Sequence, residues 1–548
     1  MEILKQQLTR TKITVLVVLL LVVWIAVHIP AIFYGTENLP LHMSYIGDEQ
    51  SPINGALHIL QDKNLLALRD LNTVYYGPVF SLITLPAIFF DFTIQFATGA
   101  ISSVTDYKNY ILWNWGGIVI FARMTAVIVG FIGLIGLYKL LNTNTFNPLR
   151  YQLLPIVGVI VLATNFFYFE YASFFKHWIF ICTILLWQLY YAVKIFEGDG
   201  NLKRYWVYEG AIIGASFGIS YLSLVFQVMW VPLLVHWWNG RNFAQLKQFS
   251  FFMAGALLVM TLIVMWHPHA FERILGLTSG DIANADTSAL STEIQAKGFS
   301  FVYYSSILLN NNLPIIVALA VLAFFSRGRR FFESAVLWVV LLPLFLYIAI
   351  FWTLSHHESR YILPVLILVI VSLFFLVGQL GDILRTNRIL RATLVSLLVF
   401  YLAFNIVHLG KWLSIMDEGP QEQVAIKNII ALEEETPSGK TLFRGYYLLG
   451  HVHTKEAYRD YAERFHKSGF NLYQAIDAGT PPKGVQQLRT YYSRPDEPLP
   501  KKALSQYAHI VYRYEPKLEQ KLDPDFMEVD LTRLWFYKDF ADRYTLLK

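Results

Sequence analysis

Residues 13–34 read ITVLVVLLLVVWIAVHIPAIFY, a run with no Asp, Glu, Lys or Arg. Wound into a helix, a run of this length matches the roughly 30 Å hydrocarbon thickness of a bilayer. It follows a basic start that carries Lys5, Arg10 and Lys12. The run is too long for a signal-peptide core and lacks a convincing cleavage site, so it reads as a signal anchor that stays attached.

The same pattern recurs along the chain. Runs of spanning length lie at 115–141, 152–169, 177–196, 249–266, 302–325, 332–354, 361–380 and 391–411. Residues 207–238 are too long for one ordinary span and long enough for two short ones. Residues 77–98 are apolar but open Gly77-Pro78 and contain Pro86 and Asp91. The totals agree: 55% of the 548 residues are hydrophobic and only 15% charged, against about 25% charged in a soluble domain. Cys182 is the single cysteine, which excludes an internal disulfide and a cysteine-based zinc site. No Asn-x-Ser/Thr sequon occurs, which fits a prokaryotic source.

Loop charge sets the topology. Lys and Arg gather at 5–12, Arg150, Lys203-Arg204, Arg241 with Lys247, Arg327 to Arg330, and Arg385 with Arg388 and Arg391. The positive-inside bias puts these on the cytoplasmic side. Residues 207–238 must then cross twice, and 77–98 lies at or dips into the outer interface. The expected fold is an α-helical polytopic membrane protein of about eleven transmembrane helices, occupying 1–412. The N-terminus is inside, and the outer loop 35–112 carries juxtamembrane helices. Residues 413–548 are expected as a small extracytoplasmic α/β domain, with helical spacing at 420–435 and 454–467 and strands at 440–444, 508–514 and 533–538.

The outer connections hold the polar residues that topology leaves unexplained. Asp48-Glu49 follows the first span, and two carboxylates at a membrane edge are costly unless exposed, paired or useful. A solvated loop or a helix cap also accounts for them. Tyr75-Tyr76-Gly77-Pro78 opens the next apolar segment. Arg123 lies in an apolar span. Phe175-Lys176-His177 forms a tight outer turn. Ser355-His356-His357-Glu358-Ser359-Arg360 packs four titratable groups into one turn, suited to a phosphate or to the carboxylates of the first loop. Its spacing matches no zinc pattern, and His267 with His269, flanking Pro268, reads as an interface feature. No dinucleotide, Walker, GxSxG or HExxH signature occurs, and the small net charge of +5 marks topology, not a nucleic-acid surface.

The order of these features resembles the GT-C superfamily of membrane glycosyltransferases, above all the protein O-mannosyltransferases and the lipid A aminoarabinose transferase. The matching positions are Asp48-Glu49, then the helix around Ala56-Leu57-His58-Ile59-Leu60, then Tyr76-Gly77-Pro78, then Ala122-Arg123-Met124-Thr125-Ala126. The turn His356-His357-Glu358-Ser359-Arg360-Tyr361 looks like the H-K-E-x-R-F turn of lipid-linked mannosyltransferases. Gly77 departs from the Pro or Lys common there, and His177 stands where an Asp often follows. The resemblance covers about 1–412.

It implies transfer of a sugar from a polyprenyl-phosphate donor to an acceptor hydroxyl of a lipid, glycan or protein, at the outer face and with inversion. Asp48 would be the general base, with Glu49 orienting it or the acceptor. Lys176, Arg360, Arg123, His356 and His357 would hold the donor phosphate. Glu358, His177 and Tyr76 are further site candidates, and Tyr446, Tyr447 and Arg494 of the outer domain would help choose the acceptor. No cofactor is fixed by the resemblance, since some relatives use a divalent cation and others do not. The cytoplasmic membrane of a prokaryote is the expected location. A transporter or flippase of a lipid-linked anion, or a silent binder of one, is the alternative. It would use the same cations without a base.

Overall fold

The computed structural model describes residues 2–37, 49–64, 77–198, 202–266, 300–326, 334–351 and 359–418, together with five short strands beyond them. Eight of the described helices are long and apolar enough to cross a membrane, or nine if one bent pair counts as a single span. The chain is an integral membrane protein. The eight are Pro78–Ala97, Gly116–Leu141, His177–Phe196, Tyr221–Asn239, Phe243–Trp266, Phe301–Phe325, Arg360–Gln379 and Arg388–Asp417. Shorter apolar helices run over Val18–Phe33 and Ala335–Ile350. The segment expected at the interface, Pro78–Ala97, passes the same test of length and hydropathy as the others. Residues 207–238, expected to cross twice, break at Ser220 between the helix Leu202–Ile219 and a 3-10 turn that starts at Tyr221, and of the two parts only Tyr221–Asn239 is among the eight.

The chain forms two compact units. The first comprises Met1–Ile29, Ser51–Leu85 and Arg123–Trp412; the second comprises Pro30–Gln50, Pro86–Ala122 and Leu413–Lys548.

At the centre of the first unit is the helix Leu363–Gln379, which has Pro364 in its opening turn and is buried along almost its whole length. Pro is well placed there, because the first turn has no intrahelical acceptor for its missing N–H. A helix apolar on every side must be enclosed by others. This one packs against the helices Leu153–Ala163, His177–Phe196, Ser300–Phe325 and Ala335–Phe351. The first span is tied in by Trp24, whose indole N–H donates to the Val127 carbonyl at 2.9 Å.

The run 152–169, expected as one span, is instead a pair of helices, Leu153–Ala163 and Phe166–Ser173, bent by 65°. Asn165 stands at the corner. Its Oδ1 accepts the Tyr168 N–H at 3.1 Å and caps the second helix. Its Nδ2 donates to Asn312 Oδ1 at 2.9 Å and to the Tyr401 hydroxyl at 2.7 Å. The Phe166 N–H donates to Asn405 Oδ1 at 3.0 Å. Asn312 itself sits at a break in its helix, with φ −132° and ψ 15°, two residues before Pro314. Backbone groups freed by a bend in an apolar interior need partners; Asn405 and the Asn165 side chain supply them, and Asn312 and Tyr401, from two other helices, hold that side chain in place.

In the second unit, the buried Asp91 accepts from the Tyr107 hydroxyl at 2.8 Å and from Gln95 Nε2 at 3.1 Å. The Tyr107 bond fastens the short helix Val104–Trp113, capped by Ser103, to the end of Pro78–Ala97, and the Gln95 bond holds the carboxylate within its own helix. Gly117 admits the carboxylate, since a Cβ there would lie 2.0 Å from Asp91 Oδ1. The C-terminal strands are β1 (Thr441–Arg444), β2 (Tyr491–Ser493), β3 (His509–Tyr514), β4 (Leu534–Lys538) and β5 (Thr545–Leu546). They form one sheet in the order β2-β1-β3-β4-β5. All pairings are parallel except β4 with β5. Parallel neighbours require crossover connections. Those connections, including the expected helix 454–467, lie outside the described residues, as does the expected helix 420–435 ahead of β1.

Candidate active site

The turn Phe174-Phe175-Lys176 joins Phe166–Ser173 to His177–Phe196. Aromatic packing fixes it. The Phe175 ring stacks on Phe80 at 4.9 Å and meets Phe180 edge-on at 5.6 Å. Phe174 meets Trp412 edge-on at 5.8 Å. The Lys176 N–H donates to the Phe174 carbonyl at 2.8 Å. Lys176 therefore occupies the cap position of the next helix in extended conformation, φ −116° and ψ 144°. A helix N-terminus presents backbone N–H groups and the positive end of the dipole, and here a lysine is added to it.

Three of the expected cations gather around residues 171–178. Lys176 Nζ lies 5.9 Å from the Tyr171 ring centroid. The buried imidazole of His177 packs against Trp178 at 4.6 Å and lies within electrostatic reach of both Lys176 and Arg360. Arg360 belongs to the 3-10 turn Ser359–Ile362 and lies 5.8 Å over the Tyr361 ring. Tyr361 in turn packs edge-on against Trp178 at 5.3 Å and Tyr304 at 6.2 Å, which moors the turn to two helices. Arg123, wholly buried in Gly116–Leu141, reaches the same stretch through Phe174, its guanidinium 5.3 Å from that ring. Cation–π contact of this kind holds a guanidinium in place while leaving its donor edge for hydrogen bonds. Charges set among aromatic side chains act through a weaker dielectric than water, so each is felt more strongly.

Glu49 is wholly buried and immediately precedes the helix Gln50–Asp62, at the end whose dipole favours an anion. Asp48, Tyr76, His356, His357 and Glu358 lie outside the described residues, as do Tyr446, Tyr447, Arg494, His267 and His269. Among the described residues, no three His, Cys, Asp or Glu side chains are grouped to hold a metal ion.

Two features of the region were not anticipated from the sequence. Glu170 lies within electrostatic reach of Lys176. The signal for it was present, a lone carboxylate in the aromatic run FFYFEYASFFKH, since an ionisable residue at membrane depth is costly without a role. The second is the indole N–H of Trp178, buried with no acceptor among the described residues. Gly77, which departs from the look-alike pattern, has a local reason. Its N–H donates to the Ile219 carbonyl at 3.0 Å, and a Cβ would lie 2.1 Å from the Gly218 carbonyl oxygen. Neither a Pro nor a Lys fits that contact.

No family model matches the chain, and no curated protein matches it. Among solved structures, the chain is similar to ArnT from Cupriavidus metallidurans in the apo state. The identity is 13% and the TM-score 0.45, over 80% of this chain and 82% of that one.

Proposed function

We propose that this chain is a GT-C-type glycosyltransferase that takes a sugar from a polyprenyl-phosphate donor and transfers it to an acceptor hydroxyl at the outer membrane face. The observation that carries the reading is the gathering of Lys176, Arg360 and, through Phe174, Arg123 around one aromatic turn. A lipid-linked sugar needs a compact cationic site next to an apolar surface, because its charge is one phosphodiester and the rest of its donor half is hydrocarbon.

In the proposed reaction, the acceptor oxygen attacks the anomeric carbon as the bond from that carbon to the phosphate oxygen breaks. Asp48 takes the acceptor proton, a role open to a carboxylate within hydrogen-bond reach. Glu49 orients Asp48 or the acceptor. A single in-line displacement inverts the anomeric centre. The leaving group becomes a phosphomonoester, so negative charge grows on its oxygens. Lys176, Arg360 and Arg123 stabilise that charge, with His356 and His357 as further donors. Glu358, His177 and Tyr76 complete the surroundings, and the domain 413–548 contributes to acceptor choice. The acceptor is a lipid, a glycan or a protein, and the setting is a prokaryotic cytoplasmic membrane with the site on its outer side.

The test is turnover of a panel of polyprenyl-phosphate sugars by the purified protein in nanodiscs, with membrane extract as the acceptor source. Consumption of one donor with release of polyprenyl phosphate is the expected result. Tight donor binding with no turnover across the panel would instead favour a carrier of lipid-linked anions.

A further inference from the structure

An apolar groove lies among the helices Leu153–Ala163, Leu363–Gln379 and Arg388–Glu418, with a cavity volume of about 440 Å³, within the roughly 300–1,000 Å³ of ligand pockets. Leu154, Val157, Phe374, Val377 and Leu398 line it, and Arg385 and Arg391 stand at one end. These two residues flank the corner at Asn387, whose Oδ1 caps the helix Arg388–Glu418 by accepting the Leu390 N–H at 3.0 Å. Arg391 is thus in the opening turn of a long helix, where the dipole adds to its own charge. Both arginines are exposed, and neither makes an ion pair with a described residue. Along the helix from Arg391 to Leu398, the lining extends about 10 Å from the charged end. The charge pattern of the loops assigns that end to the cytoplasmic side, whereas the turn of Lys176 belongs to the outer side.

We propose that this groove is a binding site for an anionic phospholipid of the cytoplasmic leaflet. The phosphate engages Arg385 and Arg391, and one acyl chain lies along Leu154, Phe374 and Leu398. The two ends of the site have different chemistry, and a phospholipid is the membrane component that matches both at once. A neutral zwitterionic lipid satisfies the apolar part but gains less from two unshared guanidinium groups, and a free phosphate gains nothing from the lining. The inference does not rest on the transferase reading.

The experiment is native mass spectrometry of the full chain in mild detergent, titrated with dioleoyl phosphatidylglycerol or dioleoyl phosphatidylcholine. The wild type is expected to retain phosphatidylglycerol at least tenfold more tightly than phosphatidylcholine. The double variant Arg385→Gln/Arg391→Gln is expected to lose that preference with its melting temperature unchanged. Arg388→Gln, a neighbouring arginine outside the lining, is expected to keep it. Equal binding of the two lipids by the wild type would overturn the site. So would full phosphatidylglycerol retention by the double variant, or an equal loss in Arg388→Gln, which would mean a diffuse surface charge.

Discussion

Asn165 donates its side-chain amide to the Tyr401 hydroxyl at 2.7 Å, in an interior where neither group has water to fall back on. The same amide serves Asn312, and the same residue caps the helix that leads to Lys176. Asn165→Leu should therefore cost about 1–3 kcal/mol, the penalty of buried partners left unsatisfied. It should also lower transfer, because the bend that aims the cationic turn is no longer fixed. Tyr401→Phe, which removes one hydroxyl, should cost less. Thermal melting of detergent-purified variants checks the order, and equal melting of wild type and Asn165→Leu would show that the bend is held by packing alone.

A methyl group at Gly77 meets the Gly218 carbonyl, and one at Gly218 meets the Val79 side chain at 2.3 Å. Backbone cannot yield as a flexible side chain can. Gly77→Ala should thus destabilise by on the order of 1–3 kcal/mol, and Gly218→Ala comparably, since a methyl there would lie 2.9 Å from Val79 Cβ, which no rotamer change moves. The comparison is a pair of melting curves at matched detergent.

Lys176→Ala and Arg360→Ala should each lower kcat by about 10²–10³, the usual loss when a donor aimed at developing negative charge is removed. Arg123→Lys should restore less than half of what Arg123→Ala loses. A lysine keeps the charge but not the planar group that lies against Phe174. Steady-state kinetics with one donor settles both, and a change confined to KM would mean that these residues grip ground state and transition state equally.

Asp106 is exposed and lies outside the spans. Hydrogen bonds from the Ser102 side chain and backbone hold its carboxyl below the usual carboxylate range, with Ser103 adding to the effect. With the folded pKa depressed, the bonds support the start of Val104–Trp113 at neutral pH. That support should be lost as the pH falls from the ordinary value of 3.8 through the lower folded value. Hydrogen exchange across 102–113 should accelerate below about pH 4 beyond its intrinsic rate, and Asp106→Asn should remove that extra dependence.

The membrane class was legible because spanning length and missing charge are properties of single runs. The strands near 440–444, 508–514 and 533–538 were legible for a similar reason, being short β-rich stretches between polar ones; the described strands at those places start one residue later. The bend at Asn165 was not legible. One Asn in an apolar run reads as a tolerated polar residue until Asn312, Tyr401 and Asn405 arrive from distant parts of the chain. Lys176, Arg123 and Arg360 stood out because ionisable groups are rare near the bilayer core. The rings that gather them, Phe174, Tyr361 and Trp178, looked like any others in a chain with 16% aromatic residues. Gly77 was visible only as a departure from a pattern, and its cause is the Gly218 backbone.

In the proposed reaction, Asp48 acts as the base toward an acceptor attacking a lipid-linked sugar. The most direct measurement compares wild type with Asp48→Asn in nanodiscs, following both donor binding and sugar transfer from the preferred polyprenyl-phosphate sugar. The variant is expected to bind donor within about threefold of wild type and to transfer at least 10²-fold more slowly, the lower range of general-base contributions. Transfer by Asp48→Asn at the wild-type rate would contradict that role.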